Sequence, residues 1–255
     1  MAEIVVSRTG AVVELCLDRA SKKNALTGAM YNALTDALVA ADADDAVRAV
    51  LLTANGETFC AGNDIADFLE PRPDFQQSPP QRFIGALVQF SKPLVAAVHG
   101  AAVGIGTTML LHCDLVYASA AARLRTPFVS LGLVPEAASS LLLPARVGHA
   151  VASEMLLLGA WIDAVRAERL GLVNAVLPSA QELLAFSRER ASDLAKSPPG
   201  AIRMTKAMLR DRDAMRARVR EEGERFAECL ASPEAREAFT AFLERRPPDF
   251  GKASR

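Results

Sequence analysis

The chain has 255 residues, of which 51% are hydrophobic and 23% are charged, a composition typical of a globular protein rather than a disordered one. That length allows a substantial core, arranged as one large domain or as one domain with an appendage. The formal net charge of −1 argues against nucleic acid or an acidic membrane as a partner, because both usually require a basic protein surface.

The chain ends and the cysteines predict a location. The N-terminal stretch MAEIVVSRTG lacks the basic and then apolar pattern of a signal peptide, and no apolar run reaches the ~18 residues needed to span a bilayer. The C-terminal Ala-Ser-Arg does not match the S-K-L peroxisomal address. The four cysteines are far apart and form no C-x-x-C pair, which favours reduced thiols over a disulfide framework. We therefore expect a cytoplasmic protein.

The first part of the chain predicts two strands, a helix and a third strand. The two strands, residues 4–7 and 12–18, flank a turn after Thr9. Thr27 is a plausible N-cap for a helix whose apolar residues recur at helical spacing. Residues 48–53 are apolar except at their ends, as expected for a strand covered on both faces.

The middle of the chain contains two glycine-bearing segments. In NGETFCAGNDIADF (residues 55–68), Asn63 or Asp64 is expected to cap a short helix. Residues 70–80, EPRPDFQQSPP, predict an irregular, mobile loop, and residues 81–90 predict a helix. A buried strand at 94–98 then leads through glycines at positions 100, 104 and 106 to an apolar helix and a strand at 115–117.

The last part of the chain is mostly helical. Helices are predicted at 137–147, 149–158 and 164–170, each with a glycine at or near its end, followed by a strand at 173–177 and a helix at 180–196. The sequence Ser-Pro-Pro-Gly that begins at Ser197 divides the chain into a core, 1–197, and a C-terminal module, 198–255. The module is helical and amphipathic over residues 201–246 and must pack on the core or on another subunit. Its apolar anchors are Ile202, Met208, Leu209, Met215, Phe226, Leu230, Phe239, Phe242 and Leu243. Glu221, Glu222 and Glu224 interrupt its Arg residues between 203 and 225, so this run is interpreted as a solvated helix face. The alternation of strands with helices predicts an α/β protein.

Several common motifs are missing. The glycines do not form G-x-G-x-x-G, no P-loop lysine follows them, and no G-x-S-x-G marks a hydrolase nucleophile. The three histidines, His99, His112 and His149, lack metal-ligand spacing, so no metal is expected and each histidine is interpreted as structural.

Residues 60–62 and 104–106 share one physical design, in which small residues precede a predicted helix. Each segment would offer an unpaired N–H at a helix start, and two such donors stabilise an enolate or an oxyanion. Alternatively, the glycines only allow close packing. The residues alone favour this simpler interpretation.

Glu136 stands among apolar neighbours, in the sequence LVPEAA that begins at Leu133. Burial disfavours a charged carboxylate and moves its pKa towards that of a useful proton carrier. An exposed loop glutamate after a proline is the other interpretation, and the residues leave both open.

Together these segments resemble the crotonase family, that is, the enoyl-CoA hydratase/isomerase superfamily. The resemblance runs along almost the whole chain. It is carried by RASKKNALT (19–27), FCAGNDI (59–65), KPLVAAVHGAAVGIGTTMLLHCDLVYA (92–118), RTPFVSLGLVPEAASSLLLPARVG (125–148) and AIRMTKAML (201–209).

The resemblance implies a crotonase fold, a spiral of repeated strand–strand–helix units with a C-terminal helical module for trimerisation. It also implies acyl-CoA thioester substrates, no separate cofactor because coenzyme A is part of the substrate, and a homo-trimer or hexamer. The thioester oxygen would sit between the amides of Ala61 and Ile105, with Glu136 as the base. The other substrate-binding residues that it implies are Lys22, Lys23, Ala25, Gly62, Asn63, Asp64, Ile65 and Phe128.

The departures from the hydratase pattern favour one subclass. Hydratases carry two glutamates where this chain has Thr108 and Phe128, and neither replacement can hold and deprotonate a water. The segment PFVSLGLVPEAASS resembles the peroxisomal-type Δ3,Δ2-enoyl-CoA isomerases, in which the residue matching Glu136 is the single base.

Two alternatives remain at this point. One is hydration of 2-enoyl-CoA, which would need a second carboxylate, with Asp64, Asp67 and Glu70 as the nearest candidates. The other is a CoA-binding oligomer without catalytic activity, because one scaffold can host many functions.

Overall fold

The computed structural model describes residues 3–68 and 75–253, with the side chains of 67, 68, 252 and 253 excluded. Residues 69–74, which include the first part of the predicted loop at 70–80, lie outside the described residues. The described remainder of that loop is partly ordered as a 3₁₀ turn at Phe75–Gln77, directly before a helix.

The strands of the described chain form two sheets. In chain order they are β1 (Ile4–Thr9), β2 (Val12–Leu17), β3 (Ala49–Ala54), β4 (Leu94–Val98), β5 (Ala101–Val103), β6 (Leu115–Ser119), β7 (Arg123–Arg125), β8 (Ile162–Asp163) and β9 (Ala175–Leu177). The larger sheet has the order β1-β2-β3-β4-β6-β9 and the smaller one has the order β5-β7-β8. Only β1 in the larger sheet runs antiparallel to its neighbour.

The helices of the described chain surround these sheets. They are α1 (Gly28–Ala43), α2 (Ile65–Phe68), α3 (Pro79–Gln89), α4 (Ile105–Thr108), α5 (Ser139–Val147), α6 (His149–Leu158), α7 (Ala164–Arg169), α8 (Ala180–Lys196), α9 (Pro199–Leu209), α10 (Arg212–Leu230), α11 (Pro233–Glu244) and α12 (Phe250–Ala253). The predicted α/β class is therefore confirmed.

Local sequence patterns explain the N-terminal elements. Leu15 and Leu17 share the buried face of β2, and the side chain of Thr27 caps α1 by accepting a hydrogen bond from the Met30 amide. Every residue of β3 before Ala54 is buried, because the sheet is covered on both sides at this point. The predicted strands and cap are confirmed.

The C-terminal stretch at 201–246, which was predicted to be helical, is divided into separate helices. Asp211 and Ser232 break the predicted stretch, and their side chains accept hydrogen bonds from the amides of Ala214 and Ala235. These N-caps satisfy donors that a helix start leaves free. The result is three helices, α9, α10 and α11.

The smaller sheet was not predicted, and the apolar helix expected after the glycines is shorter than predicted. β5 follows Gly100, which has a φ of +61° and lies so close to Glu57 that an added Cβ would be 1.9 Å from its carbonyl oxygen. The chain after β5 then forms only the short α4 and a 3₁₀ turn at Met109–His112. This arrangement carries the second glycine segment to the edge of the smaller sheet.

Parts of the C-terminal helices join the core. Phe226 of α10 and Phe239 of α11 are buried in the main hydrophobic cluster, whereas Met208 and Leu209 of α9 are 88% and 80% exposed. Four of the predicted apolar anchors are thus exposed in the single chain, namely Met208, Leu209, Phe242 and Leu243. Among the described helices, none is both long enough and apolar enough to cross a membrane.

Candidate active site

The two glycine segments pack directly against each other. The amide of Cys60 donates to the carbonyl of Ala101 at 3.1 Å, and the amide of Val103 donates back to the carbonyl of Cys60 at 2.9 Å. Gly106 lies so close that an added Cβ would be 2.7 Å from the Cys60 carbonyl oxygen. The glycines therefore do allow close packing, and this packing brings residues 60–62 and 104–106 together.

The two amides expected to bind an oxyanion differ in their present partners. Ile105 is the first residue of α4, so its amide has no acceptor within the helix. The amide of Ala61 donates to the carbonyl of Lys23 at 3.0 Å. A ligand oxygen at this position would have to share or replace that bond.

The turn that contains Lys22 and Lys23 is fastened to the first glycine segment. Lys23 and Asn24 both have a φ of +54°, a conformation that asparagine tolerates well. The side-chain amide of the buried Asn24 donates from Nδ2 to the backbone carbonyls of Asn55 and Thr58 at 2.8 and 2.7 Å. Arg19 pairs with Asp64 at 2.7 Å. Separate stretches of chain therefore form one wall.

This wall borders a cleft of about 610 Å³. Most of the residues expected to bind substrate line it, namely Lys22, Lys23, Ala25, Ala61, Gly62, Asn63, Asp64, Ile65 and Phe128. Ile105 and Glu136 are not among the lining residues. The structure thus brings together at one cleft residues that are about a hundred positions apart in the chain.

Sequence patterns did not identify the other lining residues. Arg125, the last residue of β7, lines the cleft; its Nε donates to the Gly159 carbonyl at 2.6 Å and its guanidinium lies 5.5 Å from the Trp161 ring centroid. The opposite side comes from the C-terminal helices, with Phe226, Phe239, Phe242 and Leu243. Helical spacing marked these four as apolar anchors but gave no indication of what they cover.

Glu136 is buried, with 4% of its surface exposed, which decides between the two interpretations of this residue. Thr108 donates a hydrogen bond to its Oε1 at 2.9 Å, and no group of the described chain donates to Oε2. Burial raises the pKa of Glu136 to about 7; the hydrogen bond from Thr108 opposes this rise and the negative charge of Glu222 adds to it.

The carboxyl of Glu136 interacts with residues of both glycine-bearing stretches, through a hydrogen bond with one and through its charge with the other. Thr108 lies three residues after Ile105, in the same short helix. Cys60 belongs to the first segment, and its thiol pKa is raised to about 12 by burial first and also by the charge of Glu136. A proton carrier therefore lies beside the segments whose amides would face an oxyanion.

The chain directly after Glu136 adopts an uncommon conformation. Ala137 and Ala138 have φ values of +58° and +55°, in the left-handed region that alanine rarely occupies. The buried ring of His112 donates from Nε2 to the Ala137 carbonyl at 2.8 Å, and Arg210 donates to its Nδ1 at 3.2 Å. Burial lowers the pKa of His112 to about 3, so it is a neutral, structural residue.

Glu222 of α10 accepts hydrogen bonds from the backbone that follows this turn, and no sequence pattern indicated this contact. Its run of Arg and Glu was interpreted as a solvated helix face, but Glu222 is only 6% exposed. Its Oε2 accepts from the Ala138 amide at 2.6 Å, and its Oε1 accepts from the amide and hydroxyl of Ser140 at 2.9 and 2.6 Å. Burial raises the pKa of Glu222.

Of the other carboxylates that could assist a hydration, only Asp64 has a described side chain. Asp64 is paired with Arg19, the side chain of Asp67 is not described, and Glu70 lies outside the described residues. Across residues 3–68 and 75–253, no three His, Cys, Asp or Glu side chains are grouped as a metal site. The four cysteines are free thiols.

Comparison with known proteins relates this geometry to one family. The family model described as enoyl-CoA hydratase/isomerase matches residues 7–253. A 2,3-dehydroadipyl-CoA hydratase from Escherichia coli is 35% identical over 98% of this chain and 99% of its own length. Enoyl-CoA delta isomerase 2 from rat is 36% identical over 96% of this chain, which spans only 64% of that longer protein.

Solved structures agree with the sequence comparison. The crystal structure of an enoyl-CoA hydratase/isomerase from Pseudoalteromonas atlantica is 45% identical, with a TM-score of 0.94 over 98% of this chain and all of that one. The described α/β architecture and its C-terminal helices are those of the crotonase fold.

Proposed function

This chain belongs to the enoyl-CoA hydratase/isomerase family, and from that membership we propose that it moves the double bond of an enoyl-CoA thioester from Δ3 to Δ2. The buried carboxyl of Glu136, which is hydrogen-bonded to Thr108 of the second glycine-bearing helix, carries the proposal. One group with a pKa of about 7 is both a base and, once protonated, an acid near neutral pH. Isomerisation needs both roles from one residue.

The proposed reaction has two proton transfers. Ionised Glu136 removes a proton from C2 of the 3-enoyl thioester, and the electron pair delocalises into the thioester carbonyl to form a dienolate. The amides of Ile105 and Ala61 stabilise the negative oxygen, the latter after exchanging its bond to Lys23. Protonated Glu136 then returns the proton to C4, which leaves the double bond between C2 and C3.

The residues that line the cleft suit two different parts of the substrate, the CoA part and the acyl chain. Lys22 and Lys23 stand at the cleft wall, where their positive charges suit the phosphates of the CoA part. The apolar side chains of Phe128, Leu131 and Leu133 line the same cleft and suit an acyl chain. We place the thioester between these two parts, at Ala61.

Hydration of 2-enoyl-CoA is the second candidate, since a relative that is 35% identical is named a hydratase. It requires a second group to hold the attacking water. The hydroxyl of Thr108 is already bonded to Glu136, and both oxygens of Glu222 accept protein hydrogen bonds. These contacts favour isomerisation.

The test compares wild type with Glu136→Gln on 3-enoyl-CoA and 2-enoyl-CoA thioesters of several chain lengths. We expect kcat for 3-enoyl-CoA to fall by about 10²- to 10⁴-fold in the variant, with the protein still folded by circular dichroism. Unchanged turnover would contradict the assignment of the base. Faster wild-type turnover on 2-enoyl-CoA would favour hydration, and binding without any turnover would favour a CoA-binding scaffold.

We also propose a homo-trimer, or a hexamer formed from two trimers, located in the cytoplasm. Exposed apolar side chains support the assembly, with Leu158 of α6 and Met208 and Leu209 of α9 at 76%, 88% and 80% exposure in the single chain. Such residues usually mark an interface when they are clustered. Light scattering on the purified protein measures the state directly. The free thiols accord with a reducing compartment.

A further inference from the structure

Glu222 is a buried carboxylate that the proposed reaction does not use. A charged group at 6% exposure carries a desolvation cost that a well-packed apolar side chain would avoid. Here the cost is offset by three hydrogen bonds, from two backbone amides and one hydroxyl. The group therefore has a specific set of partners, all of which lie within four residues after Glu136.

The partners of Glu222 form the turn that directs Glu136. Ala138, the N-cap residue of α5, has no side-chain cap and a φ of +55°. Without an acceptor, its amide and that of Ser140 would be buried and unpaired. Two non-glycine residues in the left-handed region persist only where their surroundings impose that conformation. Glu222 from α10 and His112 from the core supply bonds on the two sides of the turn.

We propose that Glu222 is a positioning residue for the base, because it holds the left-handed turn at Ala137 and Ala138 and thereby keeps the Glu136 carboxyl in its hydrogen bond with Thr108. This inference rests on the proposed function of Glu136. It assigns to the C-terminal helix α10 a direct part in the geometry of the reaction, in addition to its packing on the core.

Charge adds a second, measurable link between the two glutamates. Burial is the main cause of the raised pKa of Glu136, and the negative charge of Glu222 adds to it. Burial also raises the pKa of Glu222, whereas its hydrogen bonds from Ser140 and Ala138 and the positive charge of Arg218 favour its ionised form. The other titratable groups around the pair are the Cys60 thiol and the neutral His112. Removing the charge of Glu222 should therefore lower the pKa of Glu136.

The main variant is Glu222→Gln. It removes the charge and replaces one of the two acceptor oxygens with an NH₂ group, which cannot accept a hydrogen bond from a backbone amide. We expect kcat on 3-enoyl-CoA to fall by about ten- to hundredfold for folded enzyme, as for a small misplacement of a catalytic group. The acid limb of the pH profile should move to lower pH. Hydrogen exchange at the amides of Ala138 and Ser140 should become faster than in wild type.

The chain provides a matched control one residue away. Glu221 is on the same helix, its side chain is 59% exposed and it contacts Arg218, so Glu221→Gln makes the same chemical change outside the turn. We expect its kcat, pH profile and exchange to match wild type. Ser140→Ala removes the hydroxyl, which donates to Glu222 and accepts from Arg218, but it keeps both backbone amides and should have a small effect on all three.

A second variant keeps the test decisive if Glu222→Gln does not fold. Glu222→Asp keeps the charge but shortens the side chain by one methylene, so kcat should fall without a shift of the acid limb to lower pH. The proposal is overturned if the folded variants lose thermal stability but keep wild-type kcat and pH profile, since Glu222 would then be only a structural cap of α5.

The two proposals fail in different ways. If Glu136→Gln retains full turnover, Glu136 is not the base, and both the proposed function and the positioning role are wrong. If Glu136→Gln is inactive while both Glu222 variants turn over like wild type, the proposed function stands and only the positioning role is wrong.

Discussion

The chemistry proposed for this chain depends on how one carboxyl is balanced between its charged and neutral forms. Burial and the charge of Glu222 raise the pKa of Glu136, and the hydrogen bond from Thr108 opposes them. Thr108 is itself fully buried, so water does not replace its hydroxyl as a donor. At the scale of single residues, Thr108 therefore lowers the pH at which Glu136 becomes a base, against the larger effect of burial.

Thr108→Val tests this role, because valine has nearly the same shape as threonine but cannot donate a hydrogen bond. Loss of a hydrogen bond to the charged form raises the pKa of Glu136 above 7. Since the reaction needs the ionised base, we expect the acid limb of kcat/KM to move up by about one pH unit. The pH dependence of kcat/KM on 3-enoyl-CoA measures it.

Thr108→Ser serves as the control for that experiment. Serine keeps the hydroxyl that donates to Oε1 of Glu136, so the acid limb should stay where it is in wild type. If the valine variant shows the same limb as wild type and the serine variant, another group sets the pH dependence and the hydrogen bond has no part in it.

At the scale of elements, the site depends on two loops that are locked together at their glycines. Cys60 exchanges backbone hydrogen bonds with Ala101 and Val103 of β5, the strand that leads directly into residues 104–106. No side chain at position 106 would fit between them. The relative placement of the two amides expected at the thioester oxygen is thus a consequence of close backbone packing.

Gly106→Ala should disturb this placement. The added Cβ would lie 2.7 Å from the carbonyl oxygen and 2.8 Å from the Cβ of Cys60, closer than real contacts allow, so the two segments must separate. We expect the free energy of unfolding to fall by about 1–3 kcal/mol and kcat to fall for the protein that remains folded. Chemical denaturation and steady-state kinetics measure the two effects.

Gly85→Ala is the matched control within α3. No described atom outside its own helix lies within 4 Å of the Cβ that it would gain. Alanine is the better helix former, so the free energy of unfolding should rise by up to about 1 kcal/mol with kcat unchanged. Equal losses in the two variants would show that position 106 has no special steric role.

The success of prediction differed between elements for physical reasons. Thr27 and the apolar periodicity after it identified α1, because both signals are local in the chain. The smaller sheet was missed because β7 and β8 have only three and two residues, too few to show an alternating pattern. Asp211 and Ser232 are good N-caps, but the apolar spacing continues past them and concealed the breaks.

The candidate site shows the same limit more clearly. Ala61, Gly62 and the apolar surroundings of Glu136 are visible in the sequence, and the family resemblance assigned roles to them. Glu222 is 84 positions from its partner Ala138. A single sequence contains no pattern that reports such a pair, so its burial became visible only in the fold.

At the scale of the whole molecule, the C-terminal helices serve the cleft as well as the core. Phe226 and Phe239 are buried in the core and also line the cleft, while Phe242 is 60% exposed there. Because α10 also carries Glu222, this part of the chain contacts the site in two ways. A boundary after residue 197 remains a prediction, and it would separate parts that share one hydrophobic cluster.

The stability of the whole protein should record the burial of Glu136. Its pKa is raised from 4.5 to about 7 in the folded state, whereas an unfolded chain ionises near 4.5. The folded state therefore binds the proton more tightly, so this contribution to the free energy of unfolding is fully present below pH 4.5. It is lost as the pH rises to about 7, by up to about 3 kcal/mol.

Other buried groups change stability over the same pH range, so the measurement has to be a difference. The pKa of His112 is lowered to about 3, which makes its contribution grow as the pH rises towards 6.5, opposite to that of Glu136. Urea unfolding of wild type and Glu136→Gln at several pH values cancels the His112 contribution, because both proteins contain it. We expect the free energy of unfolding of wild type, relative to that of the variant, to fall between pH 4.5 and 7. If the two proteins instead show the same pH dependence of this free energy, Glu136 ionises like an exposed carboxyl. Its role as a proton carrier at neutral pH would then lose its physical basis.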